Sequence, residues 1–258
     1  MLISSIILAS VLVQGASTEI VLYRGASLLN DPHTRYWSAE DTTLVRENPE
    51  RSSGQSRVIA ASRSKRTLIR FGDLRRAIPP NSRIVSARLV LSVELAAGSG
   101  EATLSRFGAR WNEGGGAGEN QPIPPDYSTS WSFQFFATDN RAKRWQGGGL
   151  QHVAVTPSSK AAFNSAATEI VFDGLERDVQ EFYDKWYENH GWSIDANVEI
   201  TFESAQSDGN PPRLEISYAP VAERTGPDLS VVSIERTPEY ERYDNRGDAY
   251  VRMEVDGH

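Results

Sequence analysis

Between Val85 and Val93 the side chains alternate in character: Val85, Ala87, Leu89, Leu91 and Val93 interleave with Ser86, Arg88, Val90 and Ser92, and Glu94 continues the second set. A period of two describes a strand with one face on a core and the other turned outward. Shorter runs of the same kind are Glu19–Tyr23, Arg57–Ala61, Arg66–Phe71, Ala102–Phe107, Gln151–Thr156, Glu169–Phe172, Val198–Phe202 and Arg213–Tyr218. Turn-formers separate them, among them Pro79-Pro80-Asn81-Ser82, Ala97-Gly98-Ser99-Gly100 and Asp208-Gly209-Asn210-Pro211-Pro212. Many short strands between turns define an all-β domain, a sandwich or a barrel.

One segment departs from that period. Leu175, Val179, Phe182, Tyr183 and Trp186 recur at helical spacing, with Asp173 as a candidate N-cap and Gly191 beyond the end. The spacing predicts one short amphipathic helix over residues 175–189 whose aromatic stripe, Trp186 included, covers one end of the core. Trp192 is expected to flank it.

The ends of the chain read differently from its middle. Residues 1–17 are an uncharged apolar run closing on small residues, the pattern of a secretory signal cleaved near Ala16 or Ser17. The run is shorter than the roughly 20 apolar residues that span a bilayer. A buried N-terminal strand is the plainer alternative. Residues 18–219 hold the strands and the helix. Residues 220–227 are short, polar and bracketed by Pro220 and Pro227, as a linker is. Residues 228–258 carry two further strand-like runs, too little to bury a core alone. They suit an incomplete immunoglobulin-like piece or strands docked on the first domain.

Composition narrows the chemistry. The chain of 258 residues has no cysteine, which removes disulfides, thiolate metal sites and a cysteine nucleophile. Its four histidines share no i, i+4 spacing, and its net charge of -7 argues against a general nucleic-acid binder. No local motif announces a lyase or hydrolase, so the expectation is a chain that is not an enzyme.

The order of several motifs is recognisable. Thr67 to Leu74 with Arg70-Phe71, then Ile78-Pro79 leading into Ser86-Ala87-Arg88-Leu89-Val90-Leu91, resembles the opening of the DNRLRE domain, also described as carbohydrate-binding module family 96. Trp111-Asn112-Glu113, Ser130-Trp131 and Trp145-Gln146-Gly147-Gly148-Gly149 are similar to its Trp landmarks. Asn189-His190-Gly191, Phe202-Glu203-Ser204 and Pro212-Arg213-Leu214 resemble its closing strands. Asp173-Gly174-Leu175 departs from the family's Asp-Val-Thr step, and the stretch between Trp111 and Trp131 is longer. The tail from Pro227 resembles the start of a CARDB-type module. The resemblance implies a secreted antiparallel β-sandwich of jelly-roll type that belongs with other domains of a larger secreted or cell-surface protein. Part of the family binds alginate and related acidic polysaccharides. The resemblance also allows a structural calcium, for which no residues are assigned; no other cofactor is expected, and no membrane insertion once the signal is cleaved.

Charge gives an independent pointer. From Arg57 to Arg88 there are nine basic residues and one acid, Asp73, a local charge of +8 in an acidic chain. Arg66 and Arg70 share one face of a strand, Arg88 lies on the next predicted strand, and Arg63 and Lys65 precede them. Guanidinium groups hold carboxylates through paired hydrogen bonds, as a polyuronate requires. Tyr36 and Trp37 lie in a polar segment and supply a stacking platform. Trp111, Trp131 and Trp145 are expected to pack beneath the long loop. The candidate binding residues are therefore Arg63, Lys65, Arg66, Arg70, Arg88, Tyr36 and Trp37, in a noncatalytic module for an acidic polysaccharide. The alternatives are an adhesive spacer whose arginines pair internally and, less favoured, a cryptic polysaccharide lyase.

Overall fold

The computed structural model describes residues 17–28, 31–116, 128–136 and 142–221. The expected signal, except Ser17, most of the linker and the C-terminal piece lie outside the described residues. In chain order the strands are β1 (Thr18–Leu22), β2 (Ser27–Leu28), β3 (Asp31–Arg35), β4 (Ala39–Val45), β5 (Val58–Ala61), β6 (Lys65–Phe71), β7 (Ser82–Ala96), β8 (Gly100–Arg106), β9 (Phe133–Phe135), β10 (Lys143–Arg144), β11 (Ser159–Phe163), β12 (Glu169–Phe172), β13 (Trp192–Ala196), β14 (Ile200–Glu203) and β15 (Arg213–Pro220). A four-residue helix α1 (Leu74–Ala77) follows β6, and α2 (Glu176–Asp184) precedes β13.

Two antiparallel sheets carry the domain. In the first, β7 pairs with β15, β12 and β14; β1 extends β15 and β5 extends β14. In the second the order is β11-β8-β13-β6-β4. Inward residues of both sheets meet in one core: Leu89, Leu91, Phe172, Phe202, Leu214 and Ile216 from the first, Ile69, Phe71, Leu104, Trp192 and Ile194 from the second. This is the expected all-β sandwich, and each sheet is open rather than closed into a barrel. Among the described residues no helix is long and apolar enough to cross a membrane.

The long strand β7 shows how register follows sequence. Ala87, Leu89 and Leu91 are buried as the alternation requires, but Val85 is 46% exposed and Ile84 is buried instead. Ser86 opposes Ser217 while Ile84 opposes Tyr218, so one extra residue is accommodated at Val85 and the phase reverses. A second irregularity, between Leu95 opposite Thr201 and Val93 opposite Phe202, turns Leu95 out and Ala96 in.

The outer face of the second sheet is not solvated. Leu44 and Leu68 point away from the main core into a satellite cluster with Phe107, Ala109, Trp111 and Trp145, against which Trp131 and Val153 pack. Trp111 and Trp145 are thus buried in this second core and Trp131 packs against it, while residues 117–127 of the long loop lie outside the described residues. Three predicted details change. Gln151–Thr156 is not a strand but a 3-10 turn (Leu150–His152) and an isolated bridge, and the strand comes later, at β11. The helix ends at Asp184, and a separate 3-10 turn (Trp186–Glu188) leaves Trp186 59% exposed. Leu175, not Asp173, occupies the cap position and makes no side-chain cap bond. The chain turns at Lys185 because its backbone leaves the helical region, so Trp186 cannot continue the buried stripe formed by Val179, Phe182 and Tyr183. Trp192 flanks that stripe, fully buried with its ring 5.0 Å from Phe182.

Candidate functional site

Arg66 and Arg70 do share the outer face of β6. Arg88, however, sits on β7 in the other sheet, so successive strands of the chain do not make one basic surface. Arg66 is buried: its Nε donates to Asp195 of β13 at 2.9 Å, and its Nη1 to the Gly147 and Gly148 carbonyls at 3.2 and 3.0 Å. Arg70 pairs with Glu40 and lies 5.0 Å over the Trp111 ring. Arg88 pairs with Glu215, and Lys65 with Glu199. Arg57 pairs with Asp208, so five of the nine basic residues in the segment meet acids from elsewhere in the chain. Arg63 is exposed. Tyr36 is buried with its hydroxyl donating to the Gly72 carbonyl at 2.5 Å, whereas Trp37 is 63% exposed.

A different set of residues converges at one end of the second sheet. There β4 begins, β6 ends, β13 begins and β8 ends, because antiparallel neighbours alternate direction. A groove of about 510 Å³ lies across these ends, lined by Ser38, Glu40, Arg70, Asp73, Arg110, Trp186, Tyr187 and His190 among others. A second groove of about 540 Å³, lined by Arg106, Gln151, His152 and Glu188, shares His190 with the first. Together they form adjoining stretches of one trough.

The trough wall is held by the Asn189-His190-Gly191 turn. Asn189 is buried, donates through Nδ2 to the Phe71 carbonyl at 2.8 Å and accepts the Gly191 N–H through Oδ1 at 3.1 Å. The indole of Trp111 donates to the His190 carbonyl at 2.8 Å. Gly191 has φ of 71°, and a Cβ there would stand 2.0 Å from the Ile69 carbonyl oxygen, so only glycine fits. Backbone and indole bonds fix the turn, leaving the His190 side chain for the trough.

Three groups in the trough are free to meet a ligand. Trp186 and Tyr187 are 59% and 63% exposed, with rings 6.2 Å apart and nearly perpendicular at 86°. Arg110 is exposed, and its guanidinium makes no hydrogen bond or ion pair among the described residues. Arg70, by contrast, is held by Glu40, and Asp73 accepts from the Ser38 hydroxyl at 2.9 Å. Partial burial, then the nearby Arg70 and Arg110 cations, holds the His190 imidazole below the ordinary histidine range, against Glu188. Such a surface offers aromatic faces for sugar C–H groups and a fork of N–H donors for a carboxylate.

Sequence reasoning missed Arg110, Tyr187 and His190 as site residues and placed Trp186 in the core. The available signal was the Asn189-His190-Gly191 turn just after Trp186 and Tyr187: a helix that must stop before it cannot carry the aromatic stripe on to Trp186. No protein-family model matches the chain, and no curated protein is similar to it.

Proposed function

We propose that the domain is a noncatalytic carbohydrate-binding module that receives a stretch of an acidic polysaccharide in this trough and targets a larger extracellular protein to it. The observation that carries this reading is the pair of exposed, perpendicular rings of Trp186 and Tyr187 beside the exposed guanidinium of Arg110, which has no partner among the described residues. Large aromatics left in water along a groove are costly unless a ligand covers them. An exposed arginine among them adds a place for a uronate carboxylate. The resemblance to the DNRLRE domain supports the same reading, and the export of the chain rests on the pattern of residues 1–17.

The internal pairing of Arg57, Lys65, Arg66, Arg70 and Arg88 favours a second reading, a structural or adhesive spacer without glycan binding. Affinity measurements of the full chain against alginate, another polyuronate and two neutral glycans, each at low and moderate salt, separate the two. On the binding reading, Trp186→Ala weakens every glycan that binds. Arg110→Ala weakens only the acidic ones, by about 1.5–3 kcal/mol for a charge-assisted bond, and flattens the salt dependence. No binding to any of the panel, or binding that neither variant changes, favours the spacer.

A further inference from the structure

A buried carboxyl lies in β4, the edge strand of the second sheet. Asp41 stands opposite Ile69 of β6 and is fully buried. Its Oδ2 accepts the Ala205 backbone N–H from the turn after β14 at 2.6 Å, while its Oδ1 has no hydrogen-bond partner among the described residues. Glu113, from the loop after β8, is held quite differently. Its Oε1 accepts the Asp41 backbone N–H at 3.0 Å and the Gln206 amide N–H at 2.7 Å, and its Oε2 accepts from Arg24 at 3.3 Å. The neighbouring loop closes over Glu113, since a Cβ on Gly54 would stand 1.9 Å from its carbonyl oxygen.

Two carboxyls thus lie near one guanidinium, and Glu113 holds it. A carboxylate at Asp41 would be a charge removed from water with a single backbone N–H in return, and a group so placed takes up a proton instead. The two Asp41 oxygens are also unequal in the way a neutral acid requires: one accepts a bond as a carbonyl oxygen, and the one that meets no donor is left to carry the proton. The charged groups around Asp41 are Glu113, Arg24 from the turn between β1 and β2, and Glu40 from β4 itself. From β6 it meets the apolar Ile69, and from the turn after β14 the Ala205 main chain. Burial pushes the Asp41 carboxyl well above the ordinary carboxylate range; the Ala205 N–H and Arg24 oppose the shift, and Glu113 and Glu40 add to it.

We propose that Asp41 is carried as a neutral acid and works as a pH-sensitive latch between β4 and the turn after β14, closed in acid and loosened as the carboxyl ionises. Below the ordinary aspartate pKa of about 3.9, folded and unfolded chains both hold the proton and the latch contributes fully. Above it the unfolded chain releases its proton first, so this group's contribution to stability falls with rising pH and is gone once pH passes the raised folded value. The segments that loosen are those tied through Asp41: the Ala205 turn, and β4 beside Glu40, which lines the trough. The inference does not depend on glycan binding.

The test uses the full chain. Carbon-13 NMR of the labelled wild type follows the Asp41 carboxyl, assigned by through-bond correlation, from about pH 3 to about pH 8, and is expected to show the protonated signal well past the ordinary carboxylate range. Asp41→Asn keeps the shape of the neutral acid and cannot ionise. The two proteins should therefore melt alike near pH 4, the variant melting progressively higher than wild type as pH rises. His190, whose contribution runs the other way, is common to both and cancels in the difference. Hydrogen exchange reads the latch itself: protection of the Ala205 amide should fall with rising pH in the wild type and hold in Asp41→Asn. An Asp41 carboxyl that titrates in the ordinary range overturns the proposal, and that measurement needs no variant to fold. So does a melting difference that stays constant with pH, or Ala205 protection that follows pH equally in both proteins.

Discussion

Arg66 and Arg110 carry the same side chain into opposite roles. Arg66 is clamped by Asp195 and by the Gly147 and Gly148 carbonyls, tying the Trp145–Gly149 loop to the outer face of the second sheet. Strand alternation in the sequence correctly put Arg66 and Arg70 on one face. It gave no sign that a loop some 80 residues later would bury that face, since burial there depends on long-range packing. Arg66→Ala is expected to leave glycan affinity unchanged in the folded fraction. It should cost about 2–4 kcal/mol of stability, because Asp195 and two carbonyls lose their donor; chemical denaturation checks this. His190 supplies a pH dependence. Its folded-state pKa is depressed, so between that value and the ordinary histidine pKa the unfolded chain binds more protons, and this group's contribution to stability falls as pH drops. A bound polyuronate favours the imidazolium. Affinity for an acidic glycan should therefore rise as pH falls from about 7 to about 5, and the rise should shrink in His190→Gln; neutral glycans should show no such rise.

At the scale of elements, the trough depends on a turn more than on any strand. Gly191 holds a left-handed backbone against the Ile69 carbonyl, and its own carbonyl accepts the Phe107 N–H at 3.0 Å. Gly191→Ala is expected to destabilise the domain by at least about 2 kcal/mol, with thermal melting as the check, and to weaken glycan binding where the fold survives. Some strands were legible because their periods match their burial, as in β1 and β12. β4 was not: Ala39-Glu40-Asp41-Thr42-Thr43 looks like a polar loop. It is buried because the sandwich core lies on one side and the satellite cluster on the other. Thr43 Oγ1 accepts the Ala60 N–H at 2.9 Å while Thr67 Oγ1 of β6 donates to the Ala60 carbonyl at 2.8 Å, whereas the buried Thr42 Oγ1 has no partner among the described residues. β7 was legible in type but not in phase, since the extra residue at Val85 is set by pairing with β15 rather than by local sequence.

At the scale of the domain, a main core between two sheets and a satellite core outside the second leave one end of that sheet open as the trough. The fold class followed from strand spacing and turn chemistry. The trough did not, because Ser38, Arg70, Arg110 and Trp186 are brought together only by antiparallel stacking of β4, β6, β13 and β8. Charge along the sequence pointed instead to Arg57–Arg88, whose members are divided between sheets and largely neutralised by Glu40, Asp195, Glu199, Asp208 and Glu215. The most direct test of glycan recognition at the trough is a two-dimensional NMR titration of the labelled chain with alginate oligosaccharides, following the tryptophan indole signals and the amides of residues 186–191. The account predicts saturable shifts of the Trp186 indole and of the Tyr187, His190 and Arg110 amides, with the signals around Arg88 and Glu215 unmoved. Shifts confined to the Arg88 face, or no shifts with any oligosaccharide, would contradict it.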